Sequence, residues 1–152
     1  ARPESSDWPA WRGPLSTGVS PDATPPLRWD ERTNLRWKKA VPGRGVSTPI
    51  VWRDRIFVTT AVETDREGDA ELASQAAAKA PEFVRRSGGV KPSKVVEFTV
   101  MALKRSDGSV LWQQLACAEM SHEGTHADGT WASGSAVTDG ERLYVYFGSF
   151  GL

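Results

Sequence analysis

One short segment carries the side chains best suited to chemistry, His122-Glu123-Gly124-Thr125-His126. Two histidines four residues apart, with a glutamate beside the first, match the zinc-peptidase pattern, in which the imidazoles hold the metal and the carboxylate handles the proton of the bound water. That chemistry requires both histidines on one face of a rigid helix. A glycine between them disfavours the helix, so a metal-dependent hydrolase ranks last among the functions considered.

The residues after the second histidine also depart from the zinc-peptidase pattern. Gly129 stands where the longer form of the motif has its glycine, but Ala132 occupies the place of the third histidine. A polar loop whose side chains hydrogen-bond the backbone is therefore the favoured interpretation, with metal or ligand binding as the alternative. The candidate metal ligands are His122, Glu123, His126 and Asp128.

Composition limits the classes of protein and of partner. The 152 residues are 39% hydrophobic and 25% charged, which predicts one globular domain. Nineteen basic residues balance nineteen acidic ones, so the chain has no overall field that would attract nucleic acid or an anionic membrane. No apolar run approaches the roughly 20 residues that a membrane span needs. Cys117 is the single cysteine, so no internal disulfide forms.

Two of the seven tryptophans stand at equivalent places in a repeat. Trp37 and Trp112 are each followed by two polar residues and then by two small or apolar ones. After each comes a loop and then a predicted antiparallel hairpin, whose strands are 47–51 and 55–59 in the first copy and 133–137 and 142–146 in the second. The recurrence predicts a repeat protein built from small β units.

A second strand pair lies between these two hairpins. Residues 97–103 and 110–114 are rich in apolar and β-branched side chains, and Ser106-Asp107-Gly108 supplies the turn. One unit therefore has four strands, and a repeated four-stranded antiparallel meander with one large aromatic per repeat is typical of a β-propeller blade. We predict an all-β propeller of about one and a half blades with a short helical insertion. An unrelated β-sandwich is the main alternative.

The blade hypothesis divides the chain into four parts. Residues 1–36 form an extended segment rich in proline and tryptophan, for which Trp8 and Trp11 are the predicted anchors. Residues 37–115 form the first blade, with an insertion at 61–95. Residues 116–132 are the loop between blades, and 133–152 are the first two strands of a truncated second blade.

The two long connections are expected at the same end of the sheet. Connections of an antiparallel meander alternate between its ends, so residues 61–95 and 116–132 emerge together at what we name the insertion face. The tight turns at 52–54 and 105–108 lie at the opposite end, named the plain end. Long loops on a rigid scaffold are where binding concentrates, so a protein or small-ligand partner is expected at the insertion face. Residues 69–80 predict a surface helix, rich in alanine, that covers a blade.

The stretch from Ala102 to Trp112 resembles the tryptophan-docking motif of pyrroloquinoline-quinone-type, or quinoprotein-like, propeller repeats. Ala102, Gly108 and Trp112 fit that motif, whereas Lys104 and Asp107 replace its usual aspartate and threonine. Residues 7–14, 35–38, 138–142 and 146–149 are similar to the opening of exported bacterial proteins of this group. The resemblance implies an N-terminal fragment of such a protein, located in the periplasm or outside the cell.

The resemblance implies two functions. Many quinoprotein-like propellers bind no cofactor and serve as scaffolds, among them the lipoprotein of the outer-membrane β-barrel assembly machinery. Others are oxidoreductases that hold a quinone with a calcium ion and a catalytic aspartate. The adjacent cysteine pair of many such enzymes is absent, since the chain has one cysteine. We therefore expect a non-catalytic binding module first. The second-ranked function is a quinone-dependent oxidoreductase whose cofactor site lies in the part of the protein outside this fragment.

Overall fold

A four-stranded antiparallel sheet forms the centre of the computed structural model, which describes residues 3–79, 82, 86, 89 and 91–151. Its strands follow chain order: β1 (Ile50–Trp52), β2 (Arg55–Glu67), β3 (Lys94–Lys104) and β4 (Val110–Met120). Strands make up 32% of the structure and helices 9%. The prediction of a mostly β fold with a four-stranded antiparallel sheet is thus confirmed.

Three of these strands are longer than the sequence predicted. β2 continues to Glu67 instead of ending at residue 59, β4 continues to Met120 instead of 114, and β3 begins at Lys94 instead of 97. The extensions pair with one another, since Glu63 lies opposite Val96 and Met120 lies opposite Val95. The polar tail of β2 is therefore a strand because apolar residues of β3 provide its partner, and the connections shrink to 68–93 and 121–136.

The core lies between one side of this sheet and the residues that follow position 130. Ile50, Phe57 and Phe98 are buried on that side of the sheet. The other half of the core is formed by three buried residues from the C-terminal part of the chain, Ala132, Ala136 and Phe147. The rings of Phe98 and Phe147 pack with centroids 5.2 Å apart at a tilt of 59°. Burial of an aromatic or aliphatic side chain contributes about 1.5–3 kcal/mol, so this contact joins the two layers.

A second, two-stranded sheet is shorter than expected. β5 (Val137–Thr138) pairs antiparallel with β6 (Leu143–Tyr144), whereas the sequence predicted strands at 133–137 and 142–146. Gly134 lies so near the Tyr146 carbonyl that an added Cβ would come within 2.6 Å of that oxygen. Ser135 accepts a hydrogen bond from the backbone N–H of Thr48 at 2.9 Å. Ser135 therefore bonds to the first unit, while Gly134 still lies against Tyr146 of the hairpin.

The N-terminal segment is fixed to one edge of each of the two sheets. Trp8 pairs with Val51 on the edge of β1 away from β2, through backbone hydrogen bonds of 2.7 and 2.9 Å. One residue later, the Pro9 carbonyl accepts from the N–H of Thr138 at 2.9 Å. Trp8 is thus an anchor, as predicted. Trp11 is not, because 65% of it is exposed and its carbonyl merely accepts from the Trp8 indole.

A buried carboxylate reinforces this attachment. Asp7 is 2% exposed and accepts hydrogen bonds from the backbone N–H groups of Arg53, at 2.5 Å, and Glu4, at 2.8 Å. Arg53 lies in the tight turn between β1 and β2 with a φ of 53°. Asp7 therefore joins the N-terminal segment to that turn, at the plain end.

Helix α1 (Ala70–Lys79) lies in the long connection between β2 and β3. Asp69 begins it, since its Oδ1 accepts from the N–H groups of Glu71 and Leu72 at 2.8 and 3.0 Å. Its described side chains are exposed except for Ala73, and no strand packs extensively against it. The helix does not cover the sheet as predicted, and residue 80 lies outside the described residues. No helix in the described ranges is long and apolar enough to cross a membrane.

Candidate functional site

The loop that carries both histidines, residues 121–132, contains no helix. His122 forms a hydrogen bond between its Nδ1 and the Ser149 hydroxyl at 2.9 Å. The same imidazole stacks on the Phe150 ring, with centroids 4.6 Å apart and planes 29° from parallel. His122 therefore attaches this loop to the turn that follows β6, which the helix-based zinc motif would not do.

Among the other candidate ligands, His126 and Asp128 contact each other and Glu123 bonds elsewhere in the loop. The backbone N–H of Asp128 donates to His126 Nδ1 at 3.2 Å, and the Asp128 carboxylate lies 3.7 Å from that nitrogen. Glu123 uses its carbonyl, which accepts from the Trp131 indole N–H at 2.8 Å. Within the described ranges, no group of three or more His, Cys, Asp or Glu side chains could hold a metal ion. These residues do not fit a zinc or calcium centre.

Two of the repeat-motif residues, Trp37 and Gly108, meet at the plain end. Trp37 lies against Gly108, where an added Cβ would come within 2.6 Å of the indole ring. The Trp37 indole N–H donates to the Arg105 carbonyl at 2.9 Å. Gly108 has a φ of +72°, so glycine is required both by the backbone conformation and by the ring against it. Trp37 thus fixes the approach to β1 against the turn between β3 and β4.

The two residues that depart from the motif interact within the same turn. Asp107 accepts from the Ser109 N–H at 2.9 Å, and the Lys104 ammonium lies 3.5 Å from its other oxygen. Hydrogen bonding from Ser109 lowers the pKa of Asp107 to about 2, and Lys104 contributes further. The carboxylate therefore stabilises the turn locally.

Trp112 has a different environment from Trp37. It lies opposite the fully buried Ala102 in the ladder of β3 and β4, and 40% of it is exposed. Its ring is 6.0 Å from that of Phe57, beside a cleft of about 390 Å³ between the two sheets. Within the described residues, Trp37 lies against a motif turn whereas Trp112 borders a cleft.

A cavity of about 540 Å³ opens at the insertion face. Three stretches border it, from the approach to β1, from the extension of β2 and from the 121–132 loop. Its lining residues are Gly43, Arg44, Ala61, Val62, Glu63, Thr125, Gly129, Thr130 and Trp131. The expectation that the two long connections share one end of the sheet is thus confirmed, because the ladder also places Glu67, Lys94 and Met120 there.

A second hollow of about 410 Å³ adjoins this cavity. The two share Gly43, Arg44 and Thr130 in their walls. On the far side of Arg44, the hydroxyls of Ser47 and Thr59 are hydrogen-bonded at 2.7 Å. The sequence did not predict Arg44, Glu63 or Trp131 as site residues. Trp131 was the available signal, since it is an aromatic within a polar loop and outside the repeat positions.

Comparison with protein-family models, with curated proteins and with solved structures gives no match. The fold and the cavity define a mostly β protein, with a four-stranded antiparallel sheet and a ligand-sized hollow at one end.

Proposed function

We propose that this chain is part of an exported, quinoprotein-like β-propeller that serves as a non-catalytic binding module. A protein or small-ligand partner binds at the insertion face. The observation that carries the proposal is the cavity of about 540 Å³ bordered by the extension of β2 and by the 121–132 loop. Its volume falls in the range of about 300–1,000 Å³ that small-ligand sites occupy.

The packing of tryptophans supports the propeller. A blade is a four-stranded meander, and β1 to β4 have that order and direction. Trp37 contacts a turn 68 residues away through its hydrogen bond to Arg105, so an aromatic before one sheet is fixed on the far turn of that sheet. The second sheet packs on the first through Phe98 and Phe147.

The carboxylates with a lowered pKa lie in local turns and not at the cavity. Catalytic groups commonly have a perturbed pKa and lie in a cleft. Here the lowered pKa values belong to Asp30, Asp107 and Asp139, whose carboxylates accept hydrogen bonds within local turns. None of the three lines the cavity at the insertion face.

Backbone amide spectra of the ¹⁵N-labelled chain, titrated with a mixture of small drug-like fragments, test the proposal. We expect shift changes at Gly43, Arg44, Val62 and Glu63, and in the 121–132 loop. A matched variant, in which residues 123–128 are replaced by two glycines, should lose those changes because one wall of the cavity is removed. Shift changes confined to the plain-end turns, unchanged responses after the loop is shortened, or no response to any fragment would contradict the proposal.

A further inference from the structure

The cavity at the insertion face has one flat aromatic wall whose orientation is fixed. The Trp131 indole N–H donates to the Glu123 carbonyl at 2.8 Å and part of the ring packs against the buried core, so the ring carbons that line the cavity are what remains for a ligand. Ala132, the next residue, is fully buried, which holds the backbone beside the ring in place. An aromatic wall with its polar atom occupied favours a ligand that has an apolar face of its own.

The opposite wall is also preformed. Arg44 pairs with Ala61 through two backbone hydrogen bonds of 2.9 Å, which continue the line of β1 along β2. Gly43 comes so near the Ala61 carbonyl that an added Cβ would lie 2.4 Å from its oxygen. Thr130 is held from the other side, since its carbonyl accepts from the Ser133 hydroxyl at 2.5 Å. A ligand would therefore meet walls that are already in place, which limits the entropic cost of binding.

The charges at the cavity balance. Arg44 and Glu63 are its two charged residues, and in the described part of the chain neither forms an ion pair. One positive and one negative group give no net attraction for an anion or a cation. The planar guanidinium offers paired donors and the carboxylate offers paired acceptors, and Thr125 adds a hydroxyl. The polar groups thus suit a neutral ligand with several adjacent hydroxyls.

We propose that this cavity is a saccharide site that takes a neutral pyranose or disaccharide. A pyranose carries C–H groups across one face and hydroxyls around its rim. The C–H face packs on the Trp131 ring, and the rim hydroxyls hydrogen-bond Arg44, Glu63 and Thr125. The hollow beyond Arg44 leaves room for a second ring, whose hydroxyls reach the Ser47 hydroxyl. This inference rests on the proposed binding function and specifies its ligand.

Calorimetric titration of the 152-residue chain with cellobiose and maltose tests the inference, with glucuronate and glucosamine as charged comparators. We expect a neutral disaccharide to bind and the charged monosaccharides to bind more weakly than glucose. Trp131→Ala should weaken disaccharide binding about tenfold or more, and Trp131→Phe should retain most of the affinity. Trp29→Ala, at an exposed tryptophan outside the cavity, is the matched control and should have no effect.

A second pair of variants keeps the test independent of changes to the loop. Glu63→Gln removes a charge at an exposed position of β2 and should weaken disaccharide binding several-fold, whereas Glu67→Gln on the same strand should not. Binding that is insensitive to Trp131→Ala and Glu63→Gln would overturn the inference, as would preference for a charged sugar. If no neutral saccharide binds while the fragment mixture still perturbs this cavity, the saccharide assignment fails and the binding function stands. If neither binds there, both fail.

Discussion

Replacement of Gly108 by alanine should destabilise the protein more than backbone conformation alone explains. Gly108 has a φ of +72°, and an L-residue in that region costs about 1–2 kcal/mol. The new methyl group would lie 2.6 Å from the Trp37 ring, so the indole must also move away from the turn, which costs about 1–3 kcal/mol as overpacking. The expected loss in the free energy of unfolding is therefore about 2–5 kcal/mol.

Gly148→Ala separates the two contributions. Gly148 also has a positive φ, of +56°, but nothing lies within 4 Å of an added Cβ, so only the backbone cost of about 1–2 kcal/mol applies. Urea unfolding followed by far-UV circular dichroism measures both variants. In the double variant Trp37→Ala/Gly108→Ala the overpacking disappears, so the two changes should be non-additive by about 1–3 kcal/mol. Equal losses for Gly108→Ala and Gly148→Ala, or additivity in the double variant, would refute the packing of Trp37 on this turn.

Three further predictions concern the ionisable groups. Asp7→Ala should lower the free energy of unfolding by about 1–3 kcal/mol in urea titrations, because two N–H groups lose their buried acceptor, and Asp7→Asn should lose less. Hydrogen bonds from the N–H groups of Arg142 and Glu141 lower the pKa of Asp139 to about 2 from its ordinary 3.8, so its stabilisation is complete above pH 4 and is lost as the pH falls towards 2. Asp139→Asn should flatten the fall in unfolding free energy over that pH range, and parallel profiles would contradict this. Burial, and secondarily Glu119, raise the pKa of the Cys117 thiol, so iodoacetamide should alkylate Cys117 at pH 8 more slowly than it alkylates the amino acid cysteine in solution. Glu119→Gln should make the alkylation faster. Equal rates for Cys117 and cysteine in solution would count against the assignment.

Local turn chemistry explains which parts of the fold the sequence could predict. The turns at Arg53-Asp54 and Asp107-Gly108 both contain residues that favour tight turns, Asp54 in the first and Asp107 and Gly108 in the second, so both turns were placed correctly. The first strand was predicted too long, since β1 begins at Ile50 instead of residue 47. The polar tail of β2, residues 61–67, has no such local signal. It becomes a strand through pairing with residues that lie more than 25 positions further along the chain, and no local pattern reports that pairing.

The site was only partly predictable for a related reason. The motif from His122 to His126 pointed to this loop, and the 121–132 loop does border the cavity. Arg44 and Glu63 gave no signal, because a single charged residue in a loop or an exposed strand is ordinary. Arg44 lies beside β2 because it pairs with Ala61, and Glu63 follows on the same strand. Only the folded chain places both of them at the cavity that Trp131 also lines.

The attachment of the N-terminal segment has a consequence for the order in which the chain folds. Besides the Trp8–Val51 pairing, the segment is held by a bond from Thr138 to Pro9, which joins residues at nearly opposite ends of the sequence. Contacts of such high sequence separation form late, because a long loop must close before they contribute stability. During synthesis the N-terminal segment therefore stays without this second contact until Thr138 has emerged, and unpaired edges in that interval favour association between chains. Slow refolding should consequently be rate-limited by docking of Thr138 on Pro9, after the four-stranded sheet has formed.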